Sequence, residues 1–307
     1  MSDKPNSLVI LCGPTGVGKS RAAIALAGRV GGEIVNADSM QVYRGFDIGT
    51  DKVPAGDRRG IPHHLLDIAE ATTQFTAADF VREALAAARG IIERNRIPIV
   101  VGGTGLYLKA LLEGLFPGPG RLPGLRNRLE AEAASGGVES LWQRLKAVDP
   151  EYAEKVGPRD RIRIIRALEV FESTRIPFSR HFSATESPVK GFLLIRVGLQ
   201  LDRTRLVRRI AERVDGMFAN GIVEEVRSLI ARGIPEDAPP FRALGYKHVL
   251  AYIQGALTLS GAVELTKTET RQYAKRQMTW FRKMKEIAWF PADDFEALAI
   301  HVETQLS

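Results

Sequence analysis

A phosphate-binding motif is the part of the sequence whose residue types and spacing most clearly specify chemistry. It comprises Gly13, Pro14, Thr15, Gly16, Val17, Gly18, Lys19 and Ser20, which fit the P-loop pattern Gly-x-x-x-x-Gly-Lys-Ser. Glycines allow backbone N–H groups to face an anion, Lys19 adds a positive charge, and Ser20 is placed to ligate Mg²⁺. The motif lies between an apolar run and an alanine-rich run, the strand–loop–helix context that a P-loop requires. We therefore expect residues 13–20 to bind phosphate groups, as in diphosphate or ATP binding, with Mg²⁺ as cofactor.

Two further polar segments follow predicted strands. Asp38 begins the sequence Asp-Ser-Met-Gln after the second strand, and Thr104 lies in Gly102-Gly-Thr-Gly-Leu-Tyr107 after the third. Ligands of a parallel sheet bind beyond the carboxyl ends of its strands, so we expect both side chains to face the P-loop. A turn cap at Asp38 and a plain glycine turn around Thr104 are the alternatives that the residues leave open.

Alternating strand and helix patterns position these residues. Strands are predicted at 8–11, 33–37, 98–101 and 192–197, and helices at 21–29 and 76–95, the second with Thr76 as its N-cap. Strands separated by helices form parallel βαβ units. The expected fold class is α/β, with a P-loop NTPase-like parallel sheet core and an inserted all-helical domain.

A segment rich in proline and glycine, 116–124, interrupts the alternation, and helical patterns follow it. We expect residues 1–117 to form the first part of the core, 118–190 the helical insertion, and 191–307 the second part with C-terminal helices. The length of 307 residues is suited to about two domains.

Charge and cysteine content narrow the class of protein. Lys and Arg number 43 against 36 Asp and Glu, a net charge of +7, which favours a polyanionic partner or a solvated basic surface. The single cysteine, Cys12, excludes an intrachain disulfide and a zinc site of several thiolates. Residues 1–7 lack the apolar region of a signal peptide, and no apolar run approaches the ~20 residues of a membrane helix, so a cytoplasmic protein without membrane contact is expected.

Two helical stretches carry basic residues. In the insertion, Arg159, Arg163 and Arg166 follow i, i+4, i+7 spacing and are predicted to share one helix face. In the C-terminal stretch one predicted face is basic, made of Arg271, Lys275, Arg282 and Lys285. The opposite face is predicted to be core, made of Tyr273, Trp280, Met284 and Ile287. His63 and His64 are adjacent and have no evident third ligand, so no metal is expected there.

These features alone fit three classes of protein. An RNA-modifying transferase, a P-loop kinase of a small metabolite and an RNA-binding ATPase or switch would all use a phosphate-binding loop with polar strand ends. Residue types and spacing do not decide among them.

Longer segments carry a family resemblance. Residues 38–50, Asp-Ser-Met-Gln-Val-Tyr-Arg-Gly-Phe-Asp-Ile-Gly-Thr, closely resemble the signature of bacterial tRNA dimethylallyltransferases, also called tRNA isopentenyltransferases. The resemblance continues, in the family's order, through segments 13–20, 63–67, 102–107, 163–170, 242–246 and 273–281. It spans nearly the whole chain.

The resemblance implies transfer of a dimethylallyl group from dimethylallyl diphosphate to N6 of the adenosine 3′ of the tRNA anticodon. The P-loop would hold the diphosphate of the prenyl donor without needing ATP, with Mg²⁺ at Ser20, and the chain would act as a monomer. Asp38, Thr104 and Arg242 would be the catalytic residues, with Asp38 as the base. The residues expected at the tRNA are Asp38, Ser39, Met40, Gln41, Arg126, Arg159, Arg163 and Arg166.

Overall fold

The computed structural model describes residues 6–116 and 118–307. Pro117 of the expected linker lies outside the described residues, and so do residues 1–5, on which the prediction about a signal peptide partly depends. Within these ranges six strands form one sheet: β1 (Ser7–Cys12), β2 (Gly32–Asn36), β3 (His63–His64), β4 (Ile97–Gly102), β5 (Leu193–Gln200) and β6 (Ala288–Pro291). Neighbouring strands are all parallel, in the order β3-β2-β4-β1-β5-β6. The α/β class with a parallel core is confirmed.

The α-helices of the described ranges are, in chain order, α1 (Lys19–Val30), α2 (Ala77–Glu93), α3 (Gly105–Glu113), α4 (Pro123–Val148), α5 (Pro150–Lys155), α6 (Arg161–Thr174), α7 (Arg203–Ala219), α8 (Ile222–Ala231), α9 (Tyr246–Ile253), α10 (Leu259–Phe281) and α11 (Phe295–Leu306). None of them is both long and apolar enough to cross a membrane, over the part of the chain that the structure describes.

Strand β1 lies inside the sheet and is buried on both faces. Its alternate residues Leu8 and Ile10 pack with α2 and α3, whereas Val9 and Leu11 pack with α1 and α11. Side chains of a strand alternate between faces, so a continuous apolar run is what two helical layers require. The layers place the carboxyl end of β1, and with it the P-loop, at the centre of one sheet edge.

Helix α2 begins as its sequence indicates. The Thr76 hydroxyl accepts from the Asp79 N–H, and the Asp79 carboxylate accepts in return from the Thr76 N–H, which completes a capping box. Phe80, Ala84 and Ile91 of its apolar face are buried against the sheet. The predicted Thr76 cap is confirmed.

The structure divides the chain into two compact units. One contains residues up to Leu112 together with Pro188–Ser307, and the other is Glu113–Ser187, where the sequence suggested 118–190. The second unit consists of α4, α5 and α6 around its own apolar core, which includes Leu129, Leu145 and Leu168.

Two strands were not predicted. Strand β3 is a two-residue pairing with β2, and β6 pairs with β5 inside a stretch that was expected to be helical. Both are half-buried edge strands, too short to give a period of their own. Because β3 and β6 are the two edges of the sheet, the predicted position of the P-loop after the inner strand β1 does not depend on them.

Candidate active site

The loop between β1 and α1 has the backbone conformation that its glycines permit. Gly16 and Gly18 have φ values of 79° and 101°, in the region that favours glycine. A Cβ at Gly13 would lie 2.7 Å from the carbonyl oxygen of Leu199, so the loop passes close to β5. Pro14 and Val17 are buried, and they support the loop without lining the crevice beside it.

A crevice of about 840 Å³ opens beside this loop. It is lined by P-loop residues, by the ends of β2 and β4, and by residues of α7 and α10. The polar and glycine lining residues include Thr15, Lys19, Ser20, Asp38, Asp51, Gly103, Arg209, Arg213, Tyr273 and Gln277. The expectation that Asp38 and the P-loop share a crevice is therefore confirmed.

Asp38 lines the crevice and also organises the turn that follows it. Its Oδ1 accepts from the N–H of Met40 at 2.8 Å and from the N–H of Gln41 at 3.4 Å. The turn cap and the place in the crevice, which the sequence left as alternatives, are thus both present in one side chain.

Thr104 joins the ends of β2 and β4. Its hydroxyl accepts from the N–H of Ser39 at 3.1 Å, and its own N–H donates to the carbonyl of Ala37. The glycine segment around Thr104 therefore fixes the Asp38 loop.

Lys19 lies at the start of α1 with its ammonium against the loop. Its Nζ donates to the carbonyl of Pro14 at 2.8 Å. Burial, and next the neighbouring Arg213 guanidinium, lower the pKa of Lys19 to about 8, while the Asp38 carboxylate opposes the shift. An ammonium held in this way gains a stronger partner when an anion enters the crevice.

Arg213 of α7 is a functional candidate that sequence reasoning missed. Its Nη1 donates to Thr15 Oγ1 at 2.7 Å, and its Nε lies 3.3 Å from the Asp51 carboxylate. Arg209, one turn earlier, donates to the carbonyl of Val17 at 3.2 Å. The i, i+4 spacing of two arginines on an amphipathic helix was the available signal.

Gln277 of α10 is a second candidate that the sequence did not single out. Its Oε1 accepts from the Thr15 N–H at 2.8 Å, and its Nε2 donates to the carbonyl of Gly103 at 2.7 Å. One buried side chain therefore ties the P-loop to the loop after β4.

Arg242 is the third residue that the resemblance implies to be catalytic. It lines a second cavity of about 280 Å³, with Ser39, Met40 and Tyr273 among its neighbours, and it does not line the crevice that holds Lys19 and Ser20. Arg209 and Arg213 both donate hydrogen bonds to the P-loop. Asp38 and Thr15 belong to the walls of both cavities.

The predicted basic stripe in the second unit is wrong. Arg159 precedes α6, whose N-cap is Asp160, so it does not share a helix face with Arg163 and Arg166. Arg163 pairs with Asp160, and Arg166 donates to Glu169, a fully buried carboxylate, at 2.9 Å.

Arg126 also differs from a free RNA-binding arginine. Its side chain is 14% exposed and lies within 3.7 Å of Glu130 and Glu169. The resemblance implied that Arg126 and Arg166 contact tRNA, whereas in the structure both lie beside the buried Glu169 carboxylate.

The prediction that Tyr273 and Trp280 belong to the core is also wrong. Tyr273 lines both cavities, and Trp280 is 42% exposed rather than core. Helix α10 ends at Phe281, so Arg282 and Lys285 lie beyond the face predicted for them. Burial and then the Asp38 carboxylate raise the pKa of Tyr273 to about 12, which keeps its phenol neutral.

The two adjacent histidines have structural partners. His64 Nε2 lies 2.7 Å from the buried Glu33 carboxylate, and His63 Nδ1 lies 2.8 Å from the carbonyl of Ile61. Neither lines the crevice.

The crevice has a donor set suited to magnesium. Over the described residues no group of three or more His, Cys, Asp or Glu side chains could hold a metal ion. Magnesium usually keeps several waters and binds through one or two protein oxygens plus phosphate. Ser20, with Asp38 and Asp51 in the same walls, fits that requirement.

Comparisons with known proteins agree on one family. A family model described as IPP transferase matches residues 41–284. The tRNA dimethylallyltransferase of Geobacter metallireducens is 48% identical over 94% of this chain and 93% of its own length. That of Pelotomaculum thermopropionicum is 45% identical, covering 97% of this chain and 95% of the relative.

Solved structures agree with the sequence relatives. The full-length tRNA isopentenylpyrophosphate transferase from Bacillus halodurans has a TM-score of 0.73 and 38% identity, over 98% of this chain and 97% of that one. A eukaryotic dimethylallyltransferase described as acting on tRNA has a TM-score of 0.79 and 30% identity, covering 97% of this chain and 77% of its own. The chain belongs to the IPP transferase family.

Proposed function

We propose that this chain transfers a dimethylallyl group from dimethylallyl diphosphate to N6 of the adenosine 3′-adjacent to the anticodon in tRNA, releasing diphosphate. The family and the names of its relatives support a prenyl transfer to tRNA. The observation that carries the proposal for this chain is the presence of Asp38 in the same crevice as the P-loop.

The nucleophile needs help from a base. An exocyclic adenine amine is weak because its lone pair is delocalised into the ring. When N6 bonds to C1 of the prenyl group, the C1–O bond breaks, the electron pair leaves with the diphosphate, and N6 loses a proton. The Asp38 carboxylate accepts this proton, a contribution that is typically worth about 10²–10⁴-fold in rate.

Cations and amides stabilise the leaving group. Negative charge develops on the diphosphate as the C1–O bond breaks, and the P-loop, Lys19 and Arg213 line the crevice that would hold it and would supply the donors. Bound Mg²⁺ would neutralise part of the diphosphate charge, held by Ser20. Thr104 supports the reaction by fixing the Asp38 loop through the Ser39 N–H.

The two cavities suggest how the substrates meet. Asp38 lines both of them, so an adenine in the smaller cavity would face a donor whose diphosphate lies on the P-loop. The smaller cavity has apolar walls at Met40 and Met217 and polar groups at Ser39 and Arg242. A stacked adenine must leave the anticodon loop to enter it, as enzymes that modify bases generally require.

We assign tRNA binding to the second unit as well. Its described surface includes Arg159 and Arg163, side chains that suit phosphate contacts. Arg126 and Arg166 contribute instead by stabilising the helices that present this surface.

One mixture separates the proposal from a metabolite kinase and from an ATPase. The protein is incubated with Mg²⁺, unmodified tRNA and either dimethylallyl diphosphate or ATP, and the tRNA is weighed by mass spectrometry. A gain of one dimethylallyl group with the first donor supports the proposal. ATP consumption without any prenylated tRNA contradicts it.

A further inference from the structure

Trp280 is an exposed aromatic residue on the helix that carries Tyr273 and Gln277. Its side chain is 42% exposed near the C-terminal end of α10. It follows Gln277 by three residues and Tyr273 by seven, so all three lie on the same face of α10. Tyr273 and Gln277 line the crevice, and Trp280 continues their face to the surface.

The indole has a prepared seat. A Cβ at Gly105 would lie 3.1 Å from the Cδ2 and Cε3 atoms of Trp280, so the ring packs closely on the backbone of Gly105. Gly105 follows Thr104 directly, and the Thr104 hydroxyl holds Ser39 of the Asp38 loop. The same short segment therefore contacts both the Asp38 loop and the exposed ring.

The surroundings of the ring suit a polyanion. From Arg271 to Lys285 the sequence contains six Lys or Arg residues and no Asp or Glu. Arg276 and Lys283, four residues before and three after Trp280, are exposed. Arg276 and Lys283 are thus exposed cations close to Trp280 in sequence.

We propose that the indole of Trp280 is a stacking platform for an unpaired RNA base that flanks the modified adenosine. The inference deepens the proposed function and rests on it. When the target adenine leaves the stack, the bases next to it lose a neighbour and expose their faces. The indole of Trp280, on the same helix face as Tyr273 and Gln277 of the crevice, replaces the lost stacking neighbour. Every base has a face that can stack on an aromatic ring.

Binding measurements test this platform with an anticodon stem-loop RNA. Trp280→Ala lowers the affinity for the stem-loop by about 5- to 150-fold, the range of base–aromatic stacking, whereas Trp280→Phe retains most of it. Affinity for inorganic diphosphate stays unchanged in both variants, which also shows that the crevice is folded. Ile300→Ala removes an exposed apolar side chain on α11 and leaves both affinities unchanged.

The partner base is identified by removing it. The affinities of the wild type and of Trp280→Ala are measured for stem-loops that are abasic at one or the other flanking position. At the position of the stacked base, the abasic RNA binds to Trp280→Ala no more weakly than the intact RNA does. Fully additive losses at both positions overturn the proposal, as does wild-type affinity in Trp280→Ala.

Fluorescence gives a readout that does not depend on folding of an alanine variant. In a chain with Trp142→Phe and Trp289→Phe, Trp280 is the remaining tryptophan. Stem-loop RNA quenches its emission, and the RNA abasic at the identified position does not; equal emission with and without RNA contradicts the platform. Absence of prenyl transfer by the wild type would contradict the proposed function, while the quenching would still decide the role of Trp280.

Discussion

Asp38 has two separable duties. Its Oδ1 caps the turn at Met40 and Gln41, and its carboxylate lines both cavities. An asparagine retains the amide oxygen that can cap the turn but lacks a basic carboxylate, so Asp38→Asn isolates the second duty.

We expect Asp38→Asn to lower the rate of prenyl transfer by about 10²-fold or more, with RNA affinity within a few-fold of wild type. Single-turnover kinetics with saturating tRNA measures the chemical step, and RNA binding serves as the control for an intact turn. Full activity in Asp38→Asn would remove this residue from the mechanism.

Lys19 predicts a pH dependence of anion binding. Because the pKa of Lys19 in the folded chain is lowered to about 8, its ammonium loses its proton as the pH rises through that value. The charge that attracts diphosphate is present below this pH and is lost above it, so affinity for inorganic diphosphate should weaken between about pH 7 and pH 9.

The comparison with Lys19→Ala isolates this effect, because titration of diphosphate itself is common to both proteins. Calorimetry across the pH range should give a steeper loss of affinity for the wild type than for the variant. Parallel curves would show that the Lys19 charge is not used.

Residue chemistry that lies in one motif was predictable, and chemistry assembled by packing was not. The P-loop, Asp38 and Thr104 follow strands, so their common edge can be read from the sequence. Arg213 and Gln277 contact Thr15 of the P-loop although they lie 198 and 262 residues later in the chain. Only the tertiary packing of α7 and α10 brings them there.

At the scale of elements, α10 acts as a clamp between two strand ends. Gln277 accepts from the Thr15 N–H and donates to the Gly103 carbonyl while being 5% exposed. Replacement by an apolar residue of similar size leaves both backbone groups without this partner.

Gln277→Leu should therefore weaken use of the prenyl donor by about 1–3 kcal/mol in kcat/KM, the usual cost of an unsatisfied buried polar group. Steady-state kinetics with varied donor is the measurement. Gln272→Leu, an exposed change on the same helix, is the matched control. Equal kinetics for the two variants would contradict the clamp.

Helix α6 shows how an element-level pattern misleads. The spacing of Arg159, Arg163 and Arg166 predicted one basic face, but the helix begins after Asp160, and Arg166 pairs with the buried Glu169. The spacing of arginines along the chain does not show that Glu169, three positions after Arg166, is buried and accepts from it. Strands β3 and β6 were missed for a different reason, since two and four residues are too few to show a period.

Arg166→Ala should destabilise α4 and α6 by about 1–3 kcal/mol, because Glu169 is left with weaker partners. Hydrogen exchange of the backbone amides of both helices in the full chain measures this. Arg163→Ala, whose partner Asp160 lies nearer the surface, should leave exchange almost unchanged. Similar exchange in both variants would contradict the role of the buried pair.

At the scale of the whole molecule, net charge sets the response to salt. The chain carries +7, and binding of tRNA releases counterions from the phosphates that it contacts. We expect log K for tRNA to fall linearly with log salt concentration, by about 0.7–0.9 per phosphate contact. Filter binding at several ionic strengths measures the slope, and an affinity independent of salt would contradict this picture of the interface.

The central claim is that this crevice prenylates one adenosine of tRNA through Asp38. The direct measurement is fragment mass spectrometry of tRNA after reaction with dimethylallyl diphosphate, for the wild type and Asp38→Asn side by side. We predict one dimethylallyl group on the adenosine 3′ of the anticodon with the wild type, and almost none after the same time with Asp38→Asn. A prenyl group at another nucleotide, no prenyl group, or equal yields from the two proteins would contradict the account.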